Sequence, residues 1–251
     1  MTQDLLVATR GGIGYHIISN GLIHHLTSEQ YNFRNANLVC YPQWETSLKY
    51  LYEDNPRVII HPGKQDQFLG IHHENMLNKW AQEKGWKYYS VATFVQMDML
   101  RYQEFFYKSV GHPFEYRYSK FRLPERPSIN EEFLLLKKPK NPYALIFKWD
   151  KFANGSIKHF QSEFLNPDLE IVELTPGGTK NIFDWLPIIY DAEEIHSIPG
   201  GPFHLIDSVL DKCKASKFYY HDARRETCFN PNNKFNNECW EVVKYAVKHS
   251  M

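Results

Sequence analysis

One stretch near the start of the chain, residues 5–26, reads LLVATRGGIGYHIISNGLIHHL. Its first five residues are apolar or β-branched and predict a buried strand, whereas the glycines at positions 11, 12 and 14 predict a turn. After the turn, apolar residues recur every three to four positions, as one face of a helix requires. A strand, a glycine turn and a helix in this order predict the first unit of a parallel α/β sheet.

The same alternation continues along the chain, with a polar, proline-containing break at Leu136–Pro142. Before the break, the pattern predicts strands at Asn37–Tyr41, Arg57–His61 and Lys87–Ala92, helices at Asn75–Lys84 and Met97–Val110, and an extended segment at Arg117–Pro127. After it, the pattern predicts strands at Tyr143–Phe147, Glu170–Leu174, Glu194–Ile198 and Lys217–His221, and helices at Ser156–Leu165, Asn181–Tyr190, Pro202–Leu210 and Glu238–His249. We therefore expect an α/β fold of two Rossmann-like domains, residues 1–138 and 139–235, followed by a terminal helix in 236–251. Their parallel sheets would face a central cleft that holds the ligands.

Composition excludes several classes of function. The 251 residues include 29 Lys+Arg and 29 Asp+Glu, and this zero net charge argues against a nucleic-acid partner. No apolar run approaches the ~20 residues of a membrane span, and no signal-peptide pattern opens the sequence. The four cysteines form no CxxC pair, so we expect a reduced, cytoplasmic protein. Aromatic residues reach 16%, and we expect some of them to line a ligand surface.

The first glycine turn has the elements of a ligand site but not of a dinucleotide site. Gly12 and Gly14 would let a ligand approach the backbone at a helix N-terminus, although a plain βα turn is the equal alternative. The third glycine of the dinucleotide fingerprint is replaced by Ile17, and Cys40-Tyr41 stands where an acidic residue would end the second strand. Nicotinamide chemistry and P-loop NTPase activity are therefore disfavoured.

A matching turn lies in the second half, where residues 194–207 read EIHSIPGGPFHLID. A helix N-terminus of this kind suits a diphosphate, with Ser197 and the N–H groups of Gly200 and Gly201 as donors. His204 lies one turn inside the helix and is either a ligand contact or a partly buried helix histidine.

Cations are predicted at the carboxyl edge of the second sheet. Lys148, Arg224 and Arg225 each follow a predicted strand and are either diphosphate ligands or solvated surface charges.

The 12 histidines do not predict a metal site. His24/His25 and His72/His73 are adjacent and would point apart on a helix, and no HExxH or zinc-spaced cluster occurs. The DxD motif, in which two Asp residues hold a cation, is incomplete here because no second Asp follows Asp98. We expect chemistry without a metal or other cofactor.

Together these features resemble a GT-B glycosyltransferase of the heptosyltransferase-like group and its bacterial, phage and large-virus relatives. The resemblance rests on the first turn (residues 12–22), the Gly-Pro-Phe-His-Leu turn (201–205), the segments 181–185, 192–196, 205–208 and 105–121, and covers most of the chain. It implies a GT-B-like fold and an enzyme that transfers a sugar from a nucleotide-diphosphate sugar to a hydroxyl of a glycan acceptor. The nucleotide-diphosphate sugar is then a substrate and not a cofactor. The terminal helix would pack back towards the N-terminal domain.

The resemblance also implies site residues. The second domain would bind the donor through Lys148, Ser197, Gly200, Gly201, Phe203, His204, Arg224 and Arg225. The first domain would bind the acceptor at Gly12, Gly14, Tyr41 and Trp44.

The catalytic base is open. The family's first turn ends in an Asp near the base, and Tyr15 takes that position here, although a phenol is a poor base at neutral pH. His16 and Asp98 are the other candidates. We expect an inverting, metal-independent transferase, although the sequence leaves a retaining reaction open. The alternative is a catalytically impaired nucleotide-sugar or glycan-binding protein of the same fold.

Overall fold

The chain forms two compact units, residues 1–127 and 128–251. The computed structural model describes residues 3–9, 12–31, 33–63, 71–91, 102–124, 130–150, 155–156, 164–175, 178–198, 200–222 and 239–244. The division falls before the break expected at 136–142, because the helix at 131–137 belongs to the second unit. There the buried ring of Phe133 packs against Trp185, with centroids 5.0 Å apart. The acceptor and donor roles of the two domains remain predictions.

The first unit contains a four-stranded parallel sheet with the order β3-β2-β1-β4. Its strands are β1 (Gln3–Ala8), β2 (Phe33–Cys40), β3 (Val58–Pro62) and β4 (Lys87–Ser90). Its helices are α1 (Ile13–Leu26), α2 (Glu45–Leu51), α3 (Ile71–Lys84), α4 (Tyr102–Lys108) and α5 (Tyr116–Ser119). The central strand β1 is buried on both faces, as its continuous apolar run predicts.

Helix α1 packs closely against α5 because Gly21 has no side chain. A Cβ built at Gly21 would lie 1.9 Å from the carbonyl oxygen of Tyr116. On the same helix, the Tyr107 hydroxyl donates to the Ile18 carbonyl at 2.7 Å, and the Asn20 side chain accepts from the Arg122 N–H at 2.8 Å. The segment predicted to be extended over Arg117–Pro127 therefore begins as helix α5, which packs tightly on α1.

The second unit contains a five-stranded parallel sheet with the order β11-β10-β9-β5-β8. The strands are β5 (Tyr143–Phe147), β8 (Glu170–Glu173), β9 (Glu194–Ser197), β10 (Lys217–Asp222) and β11 (Trp240–Lys244). The helices are α6 (Glu131–Lys137), α7 (Leu186–Asp191) and α8 (Gly201–Ser208). A separate antiparallel pair joins β6 (Trp149–Asp150) to β7 (Gly155–Ser156). The sequence predicted a helix that begins at Ser156, the last residue of β7.

The terminal helix predicted over Glu238–His249 is wrong in the part that is described. Residues 240–244 form β11, which pairs with β10 in parallel register from Phe218↔Trp240 to Asp222↔Lys244. The valines at 242 and 243 are β-branched and suit a strand, and the backbone bonds to β10 outweigh the helical spacing of the apolar residues. None of the helices in the described part of the chain is long and apolar enough to cross a membrane.

Candidate functional site

The first glycine turn adopts an ordinary backbone conformation. Gly12 precedes α1 with φ −80° and ψ 147°, and its carbonyl accepts from the N–H groups of Tyr15 and His16. Any residue adopts these angles, so the turn does not require glycine at position 12 for its backbone conformation. Gly14 lies in the first turn of α1. Because no described side chain caps this helix, its first N–H groups remain suited to a polar ligand.

His16 lies in the core rather than in the turn. Its side chain has no exposed surface, and its Nε2 lies 3.1 Å from the Thr9 hydroxyl. Burial lowers the pKa of His16 to about 3, so the imidazole is neutral at physiological pH. An acceptor hydroxyl cannot contact a fully buried ring, and this geometry argues against His16 as the base.

The other two base candidates differ in what the structure describes. Tyr15 is half-buried, and its ring meets Phe106 edge to face with centroids 5.7 Å apart. Asp98 lies outside the described residues. Tyr15 is therefore the candidate whose side chain the structure places at the start of α1 with some surface exposed.

The aromatic residues predicted to bind the acceptor follow β2. Tyr41 is buried and packs in a core cluster with Leu6, Ala8 and Val39, whereas Trp44 is half-buried against that cluster. Trp44 therefore has the greater area for stacking on a sugar, and Tyr41 supports it from the core.

The second glycine turn follows β9 at the carboxyl edge of the second unit's sheet, where β5 also ends. Phe147 pairs with Ser197 in register, and a Cβ built at Gly200 would lie 3.1 Å from the Phe147 ring. Gly200 is extended, with φ 161°, so its lack of a side chain matters for close packing rather than for backbone freedom. Ser197 is buried, and its hydroxyl donates to the Ile198 carbonyl at 3.1 Å.

Helix α8 presents its amino end at this edge. No described side chain caps it, its first turn contains no acidic residue, and Pro202 lacks an N–H group. The backbone N–H groups of Gly201 and Phe203 belong to this first turn. The positive end of the helix dipole adds to the attraction for an anion.

The side chains of Phe203 and His204 anchor this helix. Phe203 is 2% exposed and packs against Tyr220 and Trp240, with centroids 5.0 and 5.1 Å away. His204 is also buried, with its ring 5.3 Å from that of Phe203. Both side chains therefore serve packing, whereas the Phe203 backbone lies in the first turn of the helix.

Lys148 lies directly after β5, as expected, but it is paired. Its Nζ lies 2.8 Å from Oε2 of Glu173, the last residue of the neighbouring strand β8. Both side chains are about one-third exposed, at 33% and 35%. Arg224 and Arg225 lie outside the described residues. Glu173 was not identifiable from the sequence, because its proximity to Lys148 depends on the order of the strands.

A second feature that was not identified from the sequence is a polar chain across β9 and β10, which is buried at Glu194, His196 and His221 and exposed at Lys217. His196 Nδ1 lies 3.0 Å from His221 Nε2, and Lys217 Nζ lies 3.0 Å from Glu194 Oε1. His196 Nε2 lies 3.7 Å from Glu194 Oε2. Burial lowers the pKa of His221 to about 3, with a further contribution from His196. Alternating polar residues in both strands were the available signal.

The described residues include no group of three or more His, Cys, Asp or Glu side chains arranged to hold a metal ion.

Comparison with known proteins identifies the fold. No protein-family model and no curated protein matches the sequence. A glycosyl transferase of family 9 from Veillonella parvula matches 98% of this chain and 87% of its own, with 11% identity and a TM-score of 0.50. Heptosyltransferase WaaC of E. coli, solved with ADP-2-deoxy-2-fluoro heptose, matches 97% and 94% of the two chains, with 10% identity and a TM-score of 0.43. The chain thus shares the fold of this family 9 glycosyl transferase, the GT-B-like α/β fold that its motifs predicted.

Proposed function

We propose that this protein is a glycosyltransferase that moves a sugar from a nucleotide-diphosphate sugar to a hydroxyl of a glycan acceptor. The observation that carries the proposal is the carboxyl edge of the second sheet. There the amino end of α8, which no described side chain caps, and the ammonium of Lys148 offer two kinds of anion contact. The fold shared with a family 9 glycosyl transferase over nearly the whole chain agrees with this use.

The donor would bind the second unit. We assign its diphosphate to the backbone N–H groups of Gly201 and Phe203 and to Lys148, with Arg224 and Arg225 as further cations. As the bond to the anomeric carbon breaks, negative charge grows on the leaving diphosphate, and fixed donors at this position stabilise it. This charge stabilisation needs no metal ion, which is why the proposal is metal-independent.

The acceptor would bind the first unit near Gly12, Gly14 and Trp44. An acceptor hydroxyl needs a base as it attacks the anomeric carbon, and an inverting reaction takes place in one displacement. Because His16 is fully buried, the proposal leaves Tyr15 and Asp98 as the candidate bases.

A cytoplasmic site of action belongs to the same proposal and is supported by the free thiols of Cys40, Cys213 and Cys239.

The direct experiment is incubation with a panel of nucleotide sugars and glycan acceptors while the release of nucleoside diphosphate is followed. The proposal predicts release that depends on both substrates and persists in EDTA. It also predicts that Asp98→Asn or Tyr15→Phe lowers turnover at least tenfold, whichever is the base. A panel in which no nucleotide sugar turns over and none raises the melting temperature would refute the proposal.

A second function, binding without transfer, is favoured by one observation. The residue that follows Gly14 is a half-buried tyrosine where the family has an aspartate, and the next residue, His16, is buried and neutral. A chain without a base at this turn would retain the donor site and lose catalysis. Stoichiometric binding of a nucleotide sugar without release of its nucleoside diphosphate, with or without acceptor, would select this function.

A further inference from the structure

The ion pair between Lys148 and Glu173 joins two neighbouring strands at the edge where we place the donor. Its atoms are 2.8 Å apart, and each residue stands at or directly after the carboxyl end of its strand. The strands β5 and β8 are already joined by backbone pairing from Tyr143↔Glu170 to Ile146↔Glu173. The pair is therefore not needed to hold the two strands together.

Position connects the pair with the amino end of α8. Phe147, next to Lys148 in the chain, is paired with Ser197 and packs below Gly200. Because Lys148 directly follows Phe147, its backbone lies one residue beyond the position that packs against Gly200, and its side chain turns towards β8 to reach Glu173. Glu173 lies on the far side of β5 from that terminus, because the strand order is β9-β5-β8.

We propose that Glu173 competes with the donor diphosphate for Lys148 and so weakens retention of the nucleoside diphosphate product. This inference rests on the proposed function of the same site. Before the donor binds, the carboxylate neutralises the ammonium; when the diphosphate arrives, the ammonium turns towards it and Glu173 is left as a nearby like charge. After the transfer, Glu173 takes the ammonium back and favours departure of the product.

The strength of the pair fits such an exchange. Both side chains keep about a third of their surface in contact with solvent, where ion pairs contribute little to stability and break readily. A diphosphate carries more negative charge than a carboxylate, so it competes effectively for the same ammonium. The expected penalty on product binding is correspondingly modest, about two- to fivefold in the dissociation constant.

The experiment measures binding of UDP, GDP, ADP and CDP by calorimetry to the full chain and to three variants. Glu173→Gln removes the competing charge, and Lys148→Gln removes the shared cation. Glu170→Gln is the matched control, because Glu170 is an exposed residue at the opposite end of the same strand. Inorganic pyrophosphate is measured in parallel to separate the diphosphate contact from that of the nucleoside.

The inference predicts that Glu173→Gln tightens nucleoside diphosphate binding about two- to fivefold and slows its dissociation by a similar factor. The gain would shrink towards zero in 1 M NaCl, since salt screens exposed charges. Glu170→Gln would leave binding unchanged, and Lys148→Gln would weaken it. Pyrophosphate would follow the same order if the diphosphate alone makes the contact.

Three results would overturn the inference. Unchanged or weaker binding by Glu173→Gln, with a normal melting temperature, would make the ion pair purely structural and leave the proposed function intact. Equal tightening by Glu170→Gln would reduce the effect to overall charge, again leaving the function intact. No binding of any nucleoside diphosphate to any of the four proteins would overturn the inference and the proposed function together.

Discussion

The buried imidazole of His16 makes the stability of the fold depend on pH. Its pKa is about 3 in the folded protein and about 6.5 in an unfolded chain, so below pH 6.5 the unfolded chain binds the additional proton. The free energy of unfolding therefore falls as the pH drops from about 6.5 towards 3. From pH 7.5 to 5.5, we expect a loss of about 1.4 kcal/mol from this residue.

His16→Gln tests this prediction, because glutamine can keep a polar contact with Thr9 and does not titrate. Urea unfolding at pH 7.5 and 5.5 should show a loss of stability that is smaller by about 1.4 kcal/mol in the variant. The pKa values of His24 and His221 are also lowered, to about 4 and about 3, so part of the pH dependence will remain. An identical loss in both proteins would contradict a buried, neutral His16.

We predict that Gly21, in α1, cannot be replaced by a residue with a side chain without loss of stability. In Gly21→Ala, the new Cβ would meet the Tyr116 carbonyl oxygen at 1.9 Å and its carbon at 2.9 Å, both backbone atoms that cannot rotate away. We expect destabilisation of about 2 kcal/mol or more, even though alanine is the better helix former. Gly12→Ala is the control, since among the described residues its Cβ would meet only the Tyr15 ring, at 3.4 Å. Chemical denaturation that ranks the two variants equally would contradict the close packing of α1 on α5.

At the scale of elements, the side chain of Trp240 connects strand β11 with helix α8. The Trp240 indole donates to Asp207 Oδ1 at 3.3 Å, and its ring packs on Phe203 and Phe218. Trp240→Phe keeps most of the ring and removes this donor from a carboxylate that is 0% exposed, which should cost about 1–3 kcal/mol of stability.

Trp44→Phe, at a half-buried tryptophan of the first unit, is the control for this substitution and should cost less. Thermal unfolding followed by circular dichroism checks both variants. If Trp240→Phe is as stable as the parent protein, then the contact between β11 and α8 does not contribute as the structure indicates.

The elements that the sequence predicted well are those whose pattern is local. Apolar runs placed β1 and β5, and glycine turns placed the starts of α1 and α8, because strand burial and helix initiation depend on neighbouring residues. Strand β11 was mistaken for a helix because its pairing with β10 is a tertiary interaction that overrides the helical spacing of Trp240, Val243 and Val247.

The candidate site was predicted only in part, for the same reason. Lys148 was placed correctly after a strand, yet its partner Glu173 could be found only from the order of the strands. His16 was selected for its chemistry, whereas the register of α1 decides that it faces the core. Phe203 illustrates the limit of motif reasoning, since its ring serves the core and only its backbone reaches the helix terminus.

At the scale of the whole molecule, much of the 16% aromatic content serves packing. Tyr107 and Phe106 are fully buried, and the rings of Tyr31 and Tyr116 each pack against His25 in the first unit. Trp44 remains among the half-buried rings that could stack on a sugar. Packing therefore explains many of the aromatic residues without a ligand surface.

Whole-molecule stability should respond to the donor product. A ligand that binds only the folded state stabilises it by about 2.7 kcal/mol when present at 100 times its dissociation constant. One nucleoside diphosphate of the panel should therefore raise the melting temperature by several degrees, and Lys148→Gln should reduce this shift at the same ligand concentration. An equal shift in Lys148→Gln would remove this lysine from the donor site.

The central claim is that the carboxyl edge of the second sheet binds the diphosphate of a nucleotide sugar. A crystal structure of the chain with the nucleoside diphosphate that stabilises it most would test this claim directly. We predict phosphate oxygens about 3 Å from the backbone nitrogen of Gly201 and from Nζ of Lys148. A nucleotide bound instead at the Gly12 turn of the first unit, or away from both helix termini, would contradict the account.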